Sequence, residues 1–168
     1  MTTLQQRSGP RPGVSRRMPH TQLDQQPDPG GVVTELARRI FDRLPDGVQI
    51  APSGISVPGA RALVLDDDTP TGPPEAFLVG REFAHLHPVP DSSLHLTLTP
   101  ADVEAATAAG WAEPHPAVAT GQVPPTVVMV YAPRTVAEID VVADLVYRSH
   151  RFASTPVTTI TNMEGHRS

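Results

Sequence analysis

Cysteine is absent from this chain of 168 residues. Its absence excludes disulfides, thiolate metal sites and a cysteine nucleophile, and it fits a cytoplasmic protein. Aromatic residues make up only 4% and charged residues 18%. The surface is therefore not charge-dense, and Trp111, Tyr131 and Tyr147 are more informative than usual. No apolar run approaches the ~20 residues of a membrane span, and the N-terminus lacks the apolar region of a signal peptide. The net charge is -5, with no basic run long enough to suggest nucleic acid. Internal repeats, heptads, a glycine-rich phosphate loop and a nucleophile elbow are all missing.

What the chain does have is histidine in one place. Three of its seven histidines lie in two short runs, Phe83–His87 and Leu94–Leu98, and His115 follows soon after. Both runs alternate with the period of a strand that has two different faces. Between them lies Pro88-Val89-Pro90-Asp91-Ser92-Ser93, rich in turn formers, which predicts an antiparallel hairpin. Setting His87 opposite His95 puts Phe83, His85, His87, His95 and Thr97 on one face. Ala84, Leu86, Leu94, Leu96 and Leu98 then share the other. A slip of one residue would push His95 among the leucines, where an imidazole needs a partner. A leucine face on the core and an imidazole face lining a polar cleft, or simply a solvated face, is the resulting expectation.

The rest of the chain frames this hairpin. Residues 1–29 are proline-rich and poor in aliphatics, which predicts a disordered tail. Val33, Leu36, Ala37, Ile40, Phe41 and Leu44 form a helical stripe that Pro45-Asp46-Gly47 stops. Val48–Ile50, Ile55–Val57, Ala60–Leu65 and Glu75–Val79 read as strands. Asp66-Asp67-Asp68 suits a hard cation, though a solvated loop is the commoner use of such a triplet. Thr99-Pro100-Ala101-Asp102 opens a helix that Gly110 stops. Trp111–His115 is extended, Thr126–Tyr131 is a β-prone run, and Thr135-Val136-Ala137-Glu138 is a capping box for a helix ending near Phe152. The expected fold is α+β, an antiparallel sheet of about five to six strands with three helices packed mainly on one face. Residues 30–153 form the single domain, and 154–168 a loose C-terminal tail.

His85, His87 and His95 form a three-imidazole cluster that suits Zn, Fe, Cu or Ni, with His115 as a fourth candidate. The same rings without metal can take a proton from an acidic hydroxyl, because histidine titrates near neutral pH. Arg81 and Glu82 either hold a substrate anion or pair with each other. Trp111 either walls a pocket beside His115 or anchors the core. Tyr131 ends a strand, where its hydroxyl reaches the cleft or caps the core.

The series Arg81-Glu82, Ala84-His85, His87, Asp91, Leu94-His95-Leu96, Leu98, then Gly110-Trp111, His115-Pro116 and Tyr131-Ala132-Pro133-Arg134 resembles the fungal luciferase family and its bacterial luciferase-domain relatives. The resemblance spans about residues 80–150, in the same order and at near-identical spacing. It implies a luciferase-like oxygenase that needs no metal or organic cofactor and acts with O2 on a small enolic or phenolic molecule. The fungal enzyme's substrate is the hydroxypyrone 3-hydroxyhispidin. It also implies His85, His87, His95 and His115 as base and oxyanion partners, with Arg81, Glu82, Trp111 and Tyr131 around the substrate. The alternatives left open are a metal enzyme using His85, His87 and His95, and a non-catalytic small-molecule-binding protein. The fungal protein's hydrophobic N-terminal segment has no counterpart here, and Pro90 stands where its turn carries a further histidine. A soluble protein with no nucleic-acid or membrane partner and a somewhat different pocket is therefore expected.

Overall fold

The computed structural model describes residues 3–158. In chain order it contains α1 (Gly31–Phe41), β1 (Val48–Pro52), β2 (Arg61–Leu65), β3 (Glu82–Leu86), β4 (Leu94–Thr97), α2 (Pro100–Ala108), β5 (Ala112–Pro114), β6 (Val127–Val130) and α3 (Val136–Ser154). The strands form one sheet in the order β1-β2-β3-β4-β6-β5, with every neighbouring pair antiparallel. This is the expected α+β fold with three helices. No helix among the described residues is long and apolar enough to cross a membrane.

The leucine face drives the packing. Leu94, Leu96 and Leu98 are buried with Val128 and Val130 beneath Leu36 and Ile40 of α1 and Ile139, Val142 and Leu145 of α3. Each such side chain contributes about 1.5–3 kcal/mol on burial, so the parity of β4 is strongly fixed. The starts of α2 and α3 are capped as their sequences require. Thr99 Oγ1 accepts the Asp102 N–H at 3.3 Å, and Thr135 Oγ1 accepts the Glu138 N–H at 3.3 Å.

The hairpin register differs from the expected one by two residues. His85 stands opposite His95, Ala84 opposite Leu96 and Leu86 opposite Leu94. The His87 N–H donates to the Ser93 carbonyl at 2.9 Å, and Asp91 folds back to accept the Ser93 N–H and hydroxyl. The loop is thus closed at residues 87 and 93. A two-residue offset preserves which side chains share a face, so His85 and His95 stay together.

Phe83 leaves the expected imidazole face. The β2–β3 register shifts between Leu63 and Val64, where Val64 pairs with Glu82 and Leu63 with Ala84. The extra residue on β3 is Phe83, which joins the apolar core while Glu82 turns toward His85. Thr97 is also elsewhere: its hydroxyl donates to the Ala76 carbonyl at 2.7 Å.

Two expected strands are absent. Residues 55–57 lie in a loop flanked by Pro52 and Pro58. Glu75–Val79 contains a 3-10 turn at Pro74–Ala76 and only an isolated bridge from Val79 to Glu82. Asp66 accepts from Gln49 at 2.5 Å and Asp67 lies 4.0 Å from Arg81, which are interactions of a surface loop rather than of a cation site.

The expectation of a disordered N-terminal tail does not hold for residues 3–29. This segment runs over the domain as a strap. Trp111 Nε1–H donates to the Gln5 carbonyl at 2.7 Å, the Arg7 N–H to the Ala109 carbonyl at 2.9 Å, and Arg11 to the Ala112 carbonyl at 2.9 Å. Further on, Gln22 accepts the Ala132 N–H at 2.8 Å and gives its own N–H to Asp91 at 3.3 Å. The strap satisfies its backbone partly on the domain beneath it and partly on itself, through the Ser15 N–H to the Thr21 carbonyl and the Leu23 N–H to the Gly13 carbonyl. At the other end α3 runs to Ser154, and the expected loose tail lies outside the described residues from 159 on.

Candidate functional site

The imidazole face of β3 and β4 forms the floor of a cavity of about 830 Å³. That volume lies within the range of small-molecule sites. His20, His85, His87, His95 and His115 all line it, together with apolar side chains such as Ile55, Leu78 and Val127. The four sequence-predicted histidines are therefore brought together. All five rings are at least nine-tenths buried.

Three of the rings form a continuous hydrogen-bonded chain. Glu82 Oε1 lies 2.8 Å from His85 Nδ1, His85 Nε2 lies 3.2 Å from His95 Nδ1, and His95 Nε2 lies 3.0 Å from His20 Nδ1. Burial alone would raise the Glu82 pKa. Hydrogen bonds from His85, the Gly54 N–H and the Ser53 hydroxyl outweigh it and hold the carboxyl below its usual range. Burial has the opposite consequence for the rings. It lowers His85 despite the Glu82 bond, lowers His95 well below normal with help from the surrounding imidazoles, and takes His20 down to about 4.

Neutral rings attached to an ionised Glu82 have a fixed direction. The carboxylate can only accept, so His85 donates from Nδ1 and accepts at Nε2. His95 then donates from Nδ1 and accepts at Nε2, which makes His20 the donor at Nδ1. The chain ends at His20 Nε2, a buried atom with no partner among the described residues. It is left with a lone pair.

The two other rings are oriented by different groups. His87 Nδ1 lies 3.0 Å from Ser93 Oγ and 3.0 Å from Asp91 Oδ2. His115 Nδ1 accepts the Ala117 N–H at 3.1 Å at the start of a 3-10 turn, so its proton sits on Nε2. Burial, aided by His85 and His87, lowers the His115 pKa and keeps that ring neutral. His115 faces His20 edge-on with ring centres 5.0 Å apart. A ring with a free lone pair and a ring with a free N–H thus stand next to each other, both lining the cavity.

Four other sequence candidates do not line the cavity. Arg81 donates to the carbonyls of Leu65 at 3.2 Å, Asp66 at 2.5 Å and Thr69 at 2.7 Å, fastening a surface loop and not a substrate anion. Glu82 lies behind His85 and orients it. Trp111 is a core anchor bound to the strap. Tyr131 donates its hydroxyl to Glu113 at 3.0 Å, under the strap residue Arg11. Burial raises its pKa.

Sequence reasoning missed His20, which reaches the cavity on the strap, and gave Arg16 beside it no place in the site. Neither lies in a periodic segment, and the sequence carries no signal of the contact between positions 20 and 95. Asp91 was quoted within the resemblance, but its place beside His87 was not drawn from it.

This fold and site define a class: an α+β domain with an imidazole-lined cavity sized for a small molecule. Residues 80–149 match the family model described as "Luciferase domain". The chain is 30% identical over 158 residues to proteins named luciferase from Armillaria gallica, Armillaria ostoyae and Armillaria mellea. Each alignment covers 87% of this chain and 59% of the relative, so the chain spans less than two thirds of those proteins' length. Over residues 80–149 the chain is similar to the luciferase family, in the segment that carries its motifs. No solved structure gives a significant match.

Proposed function

We propose that this protein is a luciferase-like oxygenase that acts on a small enolic or phenolic molecule in the histidine-lined cavity. The observation that supports it best is the directed chain Glu82–His85–His95–His20, which ends in an unpartnered lone pair. His20 Nε2 takes the substrate's hydroxyl proton. The resulting positive charge is shared along the chain toward the Glu82 carboxylate, and His115 Nε2–H stabilises the oxyanion. The electron-rich carbon of the enolate gives its electrons to O2 and forms a carbon–oxygen bond. The distal peroxide oxygen takes back the proton held by the imidazoles. The balance of this step is enol plus O2 giving a hydroperoxide.

A second reading is favoured by a separate observation. Glu82 backs His85 and Asp91 backs His87, and carboxylates in those positions orient imidazoles for a metal. The ligand atoms of His85, His87 and His95 lie within 4.8 Å of one another. The 3.2 Å between His85 Nε2 and His95 Nδ1 matches the spacing of about 3.3 Å that two nitrogens take on one tetrahedral zinc. In this reading His95 presents a bare Nδ1 and its proton moves to Nε2.

Oxygen uptake with a panel of hydroxypyrones and catechols, on untagged protein of measured metal content, tests both. Uptake by metal-free protein supports the base mechanism. Uptake that disappears on metal removal and returns with Zn²⁺ or Fe²⁺ supports the metal enzyme. Binding without uptake would leave a non-catalytic binding protein.

A further inference from the structure

The strap does more than cover the domain. Val14 bridges Gln22, the Ser15 N–H donates to the Thr21 carbonyl at 2.9 Å, and the Ser15 hydroxyl donates to the Pro19 carbonyl at 2.8 Å. The Thr21 N–H donates to Ser15 Oγ at 2.8 Å. These bonds close a loop over residues 15–21 whose tip forms one wall of the cavity through Arg16, Met18, Pro19 and His20. Gln22 pins the loop's end to Asp91, the carboxylate beside His87. The wall lies outside the segment that matches the family model.

The charge of the cavity is one-sided. Among the described residues that line the cavity, Arg16 is the only one with a permanently charged side chain, and none is a carboxylate. Glu82 lies behind His85, to which it is hydrogen-bonded, and Asp91 lies behind His87 with its Oδ1 taken by Ser93. Arg16 makes no ion pair or hydrogen bond among the described residues and is exposed. A largely apolar cavity with an unpaired arginine and a buried acceptor on its strap wall, and an N–H donor on the neighbouring His115, fits an acid that is charged at one end and carries a weakly acidic hydroxyl at the other.

We propose that the strap loop Ser15–Thr21 is the ligand-selecting wall of this site, and that it selects a small planar acid whose carboxylate pairs with Arg16 while its hydroxyl meets His20 Nε2. This inference rests on the cavity being a substrate site but not on oxygenation taking place there.

Calorimetric titration of the full chain with protocatechuate and with its neutral methyl ester tests it. Wild type should bind the acid about five- to tenfold more tightly than the ester, a difference that salt reduces. Arg16→Gln should remove the preference and leave affinity for the ester unchanged. Arg17→Gln, one residue away and outside the cavity, should keep it. His20→Gln should weaken acid and ester alike. Equal affinity for the two ligands in wild type, no binding of either, or a preference that survives Arg16→Gln would overturn the proposal. Thermal melts of each variant show that it is folded. Oxygen uptake on the same samples separates the two readings. Selectivity without uptake removes the oxygenase and keeps the selecting wall, whereas uptake with selectivity independent of Arg16 does the reverse.

Discussion

His95 stands directly opposite His85 in the β3–β4 ladder and holds one imidazole on each of its two nitrogens, His85 at 3.2 Å and His20 at 3.0 Å. One residue from the core hairpin thereby joins a carboxylate-anchored ring to a ring supplied by the strap. Removing it cuts the chain in the middle. His95→Ala should lower oxygen uptake by about 10²–10⁴-fold, the range of a positioned base, while the protein stays folded. Stopped-flow oxygen consumption and a thermal melt check this. A folded variant with unchanged turnover would contradict the base mechanism.

Glu82 receives three donors: His85 Nδ1–H at 2.8 Å, the Ser53 hydroxyl at 2.7 Å and the Gly54 N–H at 2.9 Å. An amide at this position must point its own N–H groups at one of them. Glu82→Gln should therefore cost about 1–3 kcal/mol in urea unfolding. The direction of the chain is lost with it, so activity should fall further than stability does.

The hairpin shows how much was legible in the chain. Alternation assigned His85 and His95 to one face and the leucines to the other, because burial of Leu94 and Leu96 leaves no other parity. The register itself was off by two, since Asp91 closes a shorter loop than composition suggests. Phe83 crossed to the core through a bulge, which no alternation rule contains. Arg81 and Tyr131 were placed near the site from their neighbours in sequence, but their polar atoms are used by a loop and by Glu113. His20 was invisible for a different reason: composition reads proline-rich sequence as solvated, whereas this segment finds its hydrogen bonds on the domain and within its own loop.

The buried neutral rings make stability depend on pH in a definite direction. Burial first, then the neighbouring imidazoles, lower His20 to about 4, and burial also lowers His85, His95 and His115. In the unfolded chain they titrate near 6.5. Below that value the unfolded state binds more protons than the folded one, so stability falls as pH drops from about 6.5 toward 4. These groups contribute no slope above neutrality. Unfolding midpoints measured from pH 8 to 4 should be flat and then decline. A midpoint that rises between 6.5 and 4 would contradict neutral burial.

Trp111 fastens the strap through a single 2.7 Å bond to the Gln5 carbonyl. Trp111→Phe keeps an aromatic ring in the core and deletes that bond. It should cost roughly 1 kcal/mol from the hydrogen bond, plus a term for the smaller ring. Hydrogen exchange should quicken at the Arg7 amide, which bonds Ala109, and stay slow in β4.

The directed imidazole chain is the claim on which the chemistry rests, and long-range ¹⁵N–¹H correlation spectra of the histidine rings at neutral pH read it directly. The expected spectrum is that of neutral His20, His85 and His95 with the proton on Nδ1, and neutral His115 with the proton on Nε2. A proton on His20 Nε2 or His95 Nε2, or a cationic ring at either position, would contradict it.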